Sequence, residues 1–346
     1  MSRLFSNKLS LSVILPESPM KKSIILMNLG TPAAAEKKAV RQFLKEFLSD
    51  TRVVEVPRLV WWFVLNFIIL NFRTPKVTEA YQKIWWEKGS PLRLITIAQK
   101  EKLQKRLESI YEASDCPIVE YAMTYSGPSI KAVIERLQGE GVDHFTVLPL
   151  YPQFSATTTG SIYDQLGQYM AGVRNIPQVH VIKQYFDHPL YIQALDKSVR
   201  DQWKKTGRPE CLLMSFHSIP QDYVDDGDPY YDQCMRTAEL LADSLQLKAN
   251  EWSVSFQSRI GFAKWLSPYT IDVLKKSAVE GIKHIDVICP AFSADCLETL
   301  EEIQFENRDV FIENGGEVFN LIPCLNDQPE HIEMMADLVK AYLPKL

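Results

Sequence analysis

Short apolar runs bounded by turn residues recur along the chain, with amphipathic, helix-length stretches between most of them: residues 23–28, 118–124, 144–150, 179–184, 211–216, 252–257, 284–289 and 318–322. Runs of this kind read as strands buried on both faces, and strands separated by helices pair in parallel. The pattern therefore predicts an α/β fold in which helices cover both sides of parallel sheets. An early set of runs ends at Leu150 and a later one starts at Val179, which predicts two similar lobes facing each other across a cleft. The length of 346 residues points the same way, since one hydrophobic core usually serves fewer. The expected division is an N-terminal extension (1–20), a first lobe (21–172 plus 326–346, with the last helix crossing back) and a second lobe (173–325).

Open α/β sheets keep their chemistry beyond the C-terminal ends of their strands. The first exit, Asn28-Leu29-Gly30-Thr31-Pro32, carries no GxGxxG, and no GxxxxGK followed by Ser or Thr occurs, so neither a dinucleotide nor a nucleoside triphosphate is indicated. A formal net charge of -5 gives no electrostatic ground for nucleic acid, which would call for a basic patch. The six cysteines form no C-x-x-C pair, and several lie in apolar runs. They read as reduced, mostly buried thiols of a cytoplasmic protein, and no compact cluster is present to hold zinc or an iron-sulfur centre. The first twenty residues lack a signal-peptide pattern, and Met20 offers a second start.

Two later exits carry reactive groups. The run Cys211-Leu212-Leu213-Met214 leads into Ser215-Phe216-His217-Ser218-Ile219-Pro220, placing an imidazole where a buried strand meets its loop. The other exit runs from Cys289 to Asp295-Cys296-Leu297-Glu298, opening a helix in which Glu298, Glu302 and Glu306 recur at i, i+4 and i+8. Like charges at this spacing repel, so the stripe is either a solvated acidic face or a path for a cation. His217 is either a satisfied residue or a base. Cys296, at the head of the helix, reads as core packing.

A third feature is the segment 59–72, where Trp61, Trp62, Phe63, Leu65, Phe67, Ile68, Ile69, Leu70 and Phe72 leave a helix apolar nearly all round. It is too short for a span of about 20 residues, so it is a core helix or a lip that meets a flat apolar ligand, a bilayer surface or a partner. Beyond it, Arg73, Tyr81 and Ser90 border the segment in a way that suits a flat ligand with carboxylates at its edge, with helix capping as the alternative. Trp265 is either core or a stacking wall. The hydroxyl run Ser155 to Ser161 caps a helix or binds an anion there. A Ser-His-Asp hydrolase is disfavoured by the absence of a G-x-S-x-G elbow. A non-enzymatic tetrapyrrole or metal carrier remains open.

Taken together, Asn28 to Pro32, Arg73-Thr74-Pro75-Lys76, Tyr151-Pro152-Gln153 with Thr158 to Ser161, Ser215 to Pro220, Gly227-Asp228-Pro229-Tyr230, Gln257-Ser258-Arg259 and Asp295 to Glu302 resemble the ferrochelatase family in the right order, over about residues 22–343. The resemblance implies two Rossmann-like lobes of the chelatase type, each a parallel four-stranded sheet flanked by helices, with a porphyrin between them. It implies insertion of Fe2+ into protoporphyrin IX to form protohaem; a coproporphyrin or cobalt chelatase of the same fold stays open. His217 matches the family's active-site histidine and Glu298 the carboxylate opposite, with His217, Glu298, Glu302 and Glu306 as groups along the metal's route. Leu29, Arg73, Tyr81, Ser90 and Trp265 match positions lining the porphyrin. Many members have His where this chain has Cys296, so a second imidazole is missing from the acidic helix. Leu29 stands where others have Met or Tyr. No cysteine-bearing tail follows, so no 2Fe-2S cluster and no permanently bound cofactor are expected; Fe2+ is a substrate. The lip, 59–72, is expected to give an otherwise cytoplasmic protein peripheral membrane contact.

Overall fold

The computed structural model describes residues 21–259 and 263–343; the expected extension 1–20 lies outside them. Strands β1 (Lys21–Gly30), β2 (Ile118–Tyr125), β3 (Val142–Pro149) and β4 (Gln178–Val181) form one parallel sheet in the order β2-β1-β3-β4. Strands β5 (Cys211–His217), β6 (Trp252–Gln257), β7 (His284–Ile288) and β8 (Val318–Leu321) form a second with the same connectivity, β6-β5-β7-β8. The central strands are apolar without alternation because both their faces are covered. Ile24 and Leu26 join Leu212, Met214 and Phe216 in one core running between the lobes, whereas Ile25 and Met27 face the first lobe's outer helices and Cys211 and Leu213 the second's.

The lobe boundary differs from expectation. Residues 178–181 pair with β3 through Phe145↔Val179 and Val147↔Val181, so this strand completes the first sheet. A strand's neighbour is chosen by tertiary pairing, and the long interval after Leu150, filled by the helix Ser161–Gly172, disguised that partnership. Each lobe then sends its last helix to the other. Pro189–Thr206 leaves β4 and packs on Tyr230–Leu245 of the second lobe, while Pro329–Tyr342 leaves β8 and packs on Pro91–Glu108 of the first. Arg106–Glu333 and Lys102–Asp327, both at 2.6 Å, line the latter contact.

Related loops follow the third strand of each sheet: Pro152-Gln153-Phe154-Ser155-Ala156 after β3 and Pro290-Ala291-Phe292-Ser293-Ala294 after β7. Both lead into wide, π-type helical turns, Ala156–Gly160 and Glu298–Asn307, a winding often found at functional sites. At the exit of β1, Gly30 adopts φ +105° with the Tyr125 carbonyl where a Cβ would stand, so no other residue fits.

The apolar segment forms a helix (Arg58–Phe63), a π turn (Val64–Ile69) and a longer helix (Leu70–Ile84). It is two-sided rather than wholly buried. Leu65 and Leu70 enter a local core with Phe43, Leu44 and Tyr81, while Leu59 (74% exposed), Val60, Trp62, Phe63, Phe67, Ile68 and Phe72 (78% exposed) face outward. The rings of Trp62, Phe63 and Phe67 pack together on this surface. Asn66 and Asn71 fold their amides onto the carbonyls of Trp62 (2.8 Å) and Phe67 (2.9 Å), which withdraws the polar interruptions from the outer face. No helix among the described residues is long and apolar enough to cross a membrane.

Candidate active site

His217 is the last residue of β5. Its Nδ1 lies 2.6 Å from the Ser218 carbonyl, which can only accept, so Nδ1 carries the ring proton and Nε2 keeps its lone pair. The loop after it is pinned by a ribbon: Leu266 N–H donates to Ile219 O at 3.0 Å, Gln221 N–H to Lys264 O at 2.8 Å, and Ser218 Oγ to Leu266 O at 3.1 Å. Trp265 sits in that ribbon, bridged to Pro220, and so lies beside the histidine loop. The Phe292 ring stands 6.3 Å from the imidazole, bringing the exit of β7 to the exit of β5.

Glu298 opens the acidic helix. Gln257, at the end of β6, donates to the Glu298 carbonyl at 3.0 Å and accepts from Ser215 Oγ at 2.7 Å, stapling β5, β6 and the helix together. Burial lowers the proton affinity of His217, and the nearby Glu298 charge partly restores it. Arg73 is also lowered by burial and supported by Glu298, and burial together with the same charge raises the Tyr81 phenol well above its usual range. Thus Glu298 is the shared charged neighbour of the imidazole, the arginine and the tyrosine.

Farther along, Glu302 is gripped by Ser258, whose N–H donates to one carboxylate oxygen at 2.8 Å and whose hydroxyl donates to the other. Burial nevertheless pushes its pKa up to about 7, opposed by the Ser258 bonds and reinforced by Glu298 and Glu306. Glu306 meets Lys76 at 3.8 Å, and Glu301, on the flank of the row, meets Lys83 at 2.8 Å. Among the described residues no group of three or more His, Cys, Asp or Glu side chains converges as a metal nest. Glu298, Glu302 and Glu306 follow one another along the same helical segment.

The other expected residues divide. Leu29 packs against the local core that includes Tyr81, and Leu297 and Leu300 of the acidic helix pack against the same core. Ser90 is 2% exposed and caps the Pro91–Glu108 helix, its Oγ accepting from Arg93 N–H at 3.3 Å; the capping alternative is the geometry found. Cys296 is buried in a small core with Leu92, Ile95 and Ala294. The hydroxyl run does hold an anion, but the anion is the protein's own. Asp228 of the second lobe accepts from Ser155 Oγ at 2.9 Å and Ala156 N–H at 2.7 Å, and from Tyr230 N–H at 3.0 Å at the head of the next helix. Gln257, Ser258 and Asp228 carry much of this architecture, and residue type alone did not mark them: Ser258 acts through a left-handed backbone (φ 69°) that nothing in its sequence neighbourhood requires.

Two parallel lobes of identical connectivity, with an imidazole and a row of acids near the strand ends of the second, define a two-lobed protein with the chelatase-type fold. Solved structures agree on that fold: SirB from Bacillus subtilis with Fe3+ (TM-score 0.53, 13% identity, covering 93% of this chain and 95% of that one) and CbiX, described as the terminal enzyme of sirohaem biosynthesis in denitrifying bacteria (TM-score 0.51, 12% identity, 94% and 100%). Sequence is more specific. The ferrochelatase family model matches residues 21–343. Ferrochelatases of Aeromonas hydrophila (50% identical over 319 residues, 92% of this chain and 98% of that protein) and Vibrio cholerae (48% over 320 residues, 92% and 98%) match nearly end to end. The chain belongs to the ferrochelatase family, and its activity is that of a lyase inserting iron into a porphyrin in haem biosynthesis.

Proposed function

We propose that His217 is the base that removes the pyrrole protons of protoporphyrin IX while Glu298, Glu302 and Glu306 conduct Fe2+ or the released protons along the acidic helix. Free porphyrin holds two pyrrole protons, and the ion enters the ring plane only as both leave; the products are protohaem and two protons. Apolar walls that grip a bent macrocycle favour the transition state over the flat ring. The supporting observation is the His217 tautomer: with Nδ1 held by the Ser218 carbonyl the lone pair lies on Nε2, and burial shifts the ring toward its neutral form. Glu298 supplies the opposing charge. Nitrogen and oxygen donors also suit zinc and cobalt, so metal choice follows supply as much as ligand type.

Arg73 and Tyr81 flank the mouth, and Trp265 stands by the histidine loop as a wall. The outward row from Leu59 to Phe72 is the lip; its greasy surface favours the vinyl-bearing protoporphyrin over coproporphyrin and lets the protein rest against a bilayer. Full burial of side chains this size gains about 1.5–3 kcal/mol each.

The test is anaerobic loss of protoporphyrin fluorescence on adding Fe2+, with His217→Ala and Glu298→Gln alongside. The expected result is haem from the wild type and porphyrin binding without insertion in His217→Ala. Full insertion by His217→Ala would remove the base assignment, and binding without insertion by the wild type would favour a carrier.

A further inference from the structure

Behind the acidic row, Asp295 and Asn326 clasp each other. Asn326 Oδ1 accepts from the Asp295 N–H at 2.8 Å, and its Nδ2 donates to Asp295 Oδ2 at 2.7 Å. Asn326 does this from left-handed backbone, φ 48°, a conformation asparagine tolerates better than most residues. The remaining Asp295 oxygen accepts from Cys324 N–H and Thr299 Oγ1, both at 3.2 Å. Every acceptor of this carboxylate is thus engaged within the protein, in the turn that delivers Glu298.

The clasp reaches into the first lobe. Gln99, fully buried on the Pro91–Glu108 helix, donates through Nε2 to Ser293 O at 3.1 Å and to Asn326 O at 2.9 Å. The Asn326 carbonyl also accepts from His331 Nδ1 at 2.6 Å, and its N–H donates to Ser293 O at 3.0 Å. Among the described residues Gln99 Oε1 has no hydrogen-bond partner. A buried polar atom left unpaired costs about 1–3 kcal/mol, so packing by itself favours an apolar residue at this position. The amide is better explained by the geometry it imposes on the two loops than by any stability it adds.

We infer that Gln99 and Asn326 are positioning residues for metal insertion, an inter-lobe clasp that sets where Glu298 stands across from His217. The inference rests on the roles proposed above for those two side chains. Asp295 stands three residues before Glu298, at the entry to the acidic helix, and Gln257 holds the Glu298 carbonyl. A shift of the first lobe about a bound porphyrin is thereby transmitted to the head of the acidic row.

Gln99→Met removes both donated bonds at similar volume, and Asn326→Gly opens the clasp while preserving the left-handed backbone. Each is expected to lower kcat for Fe2+ insertion by about 10- to 100-fold while protoporphyrin affinity, read by fluorescence quenching, stays at the wild-type value. The exchange Asp295→Asn with Asn326→Asp rebuilds the pair with its polarity reversed and recovers about tenfold over Asp295→Asn alone. A kcat for Gln99→Met within about twofold of wild type, or porphyrin affinity falling in step with kcat, overturns the inference. Failure of the underlying mechanism reads differently: His217→Ala then keeps full insertion, and the clasp's role goes with it.

Discussion

The His217 Nδ1 stands 2.6 Å from the carbonyl of Ser218, its neighbour in the chain, so the backbone itself selects the tautomer that leaves the lone pair on Nε2. Burial lowers the imidazole's proton affinity, and Glu298 raises it. The acid limb of kcat is therefore expected below the ordinary histidine value of about 6.5. Glu298→Gln removes the charge that favours imidazolium, so the limb should move to still lower pH even as kcat falls. Anaerobic rate profiles of the two proteins check this; a limb that moves upward contradicts the electrostatic role of Glu298.

Burial pushes the Glu302 carboxyl up to about 7, and the Ser258 bonds favour its ionised form. Ser258→Ala removes the hydroxyl bond and leaves more of the carboxyl protonated at neutrality. The expected outcome is a several-fold higher KM for Fe2+ at pH 7 that returns toward wild type as pH rises and the carboxyl ionises. An equal defect at every pH would mean that the hydroxyl only shapes the loop.

His331 is buried in the last helix, with its pKa pushed down to about 4 by burial. The unfolded chain takes up this proton below about 6.5, the folded chain only below about 4. The unfolded state therefore binds more protons in between. Stability is fully present above pH 6.5 and declines as pH falls toward 4, by about 3 kcal/mol from this group. Denaturant unfolding across that window should show the decline in the wild type and a flatter dependence in His331→Gln.

Asp228 ties the Ser155 loop to the second lobe by accepting two hydrogen bonds from it, and accepts a third from Tyr230 N–H in its own lobe. Asp228→Ala leaves those donors unpaired and is expected to cost about 3 kcal/mol in urea unfolding. Asp228→Asn, which keeps an acceptor, should cost less.

The lip predicts adsorption to membranes. Co-sedimentation with liposomes is expected for the wild type and lost for Trp62→Glu combined with Phe67→Glu, both in the outward row. Equal pelleting of the two would remove the membrane role of 59–72.

The strands and their parallel arrangement were legible because a strand covered on both faces must be apolar without interruption, as Ile24 to Met27 and Leu212 to Met214 are. His217 and Glu298 were legible as strand-exit and helix-head residues, and the structure brings them into electrostatic contact. Ser90 was ambiguous because a hydroxyl before a helix serves a cap and a ligand equally well from sequence. The hydroxyl run near Ser155 was half legible: the sequence offered a cap or an anion site, and only the docked second lobe supplies Asp228.

The sequence alone determined the alternation of strands and helices, the apolar lip, the strand-exit histidine and the acidic stripe, because each is a local pattern with a fixed geometric period. Tertiary structure decided which sheet received Gln178–Val181, which helices the lobes exchanged, and how Gln257, Ser258 and Asn326 hold the site. Those outcomes depend on hydrogen bonds and packing between residues far apart in the chain, and local periodicity carries no record of such partners.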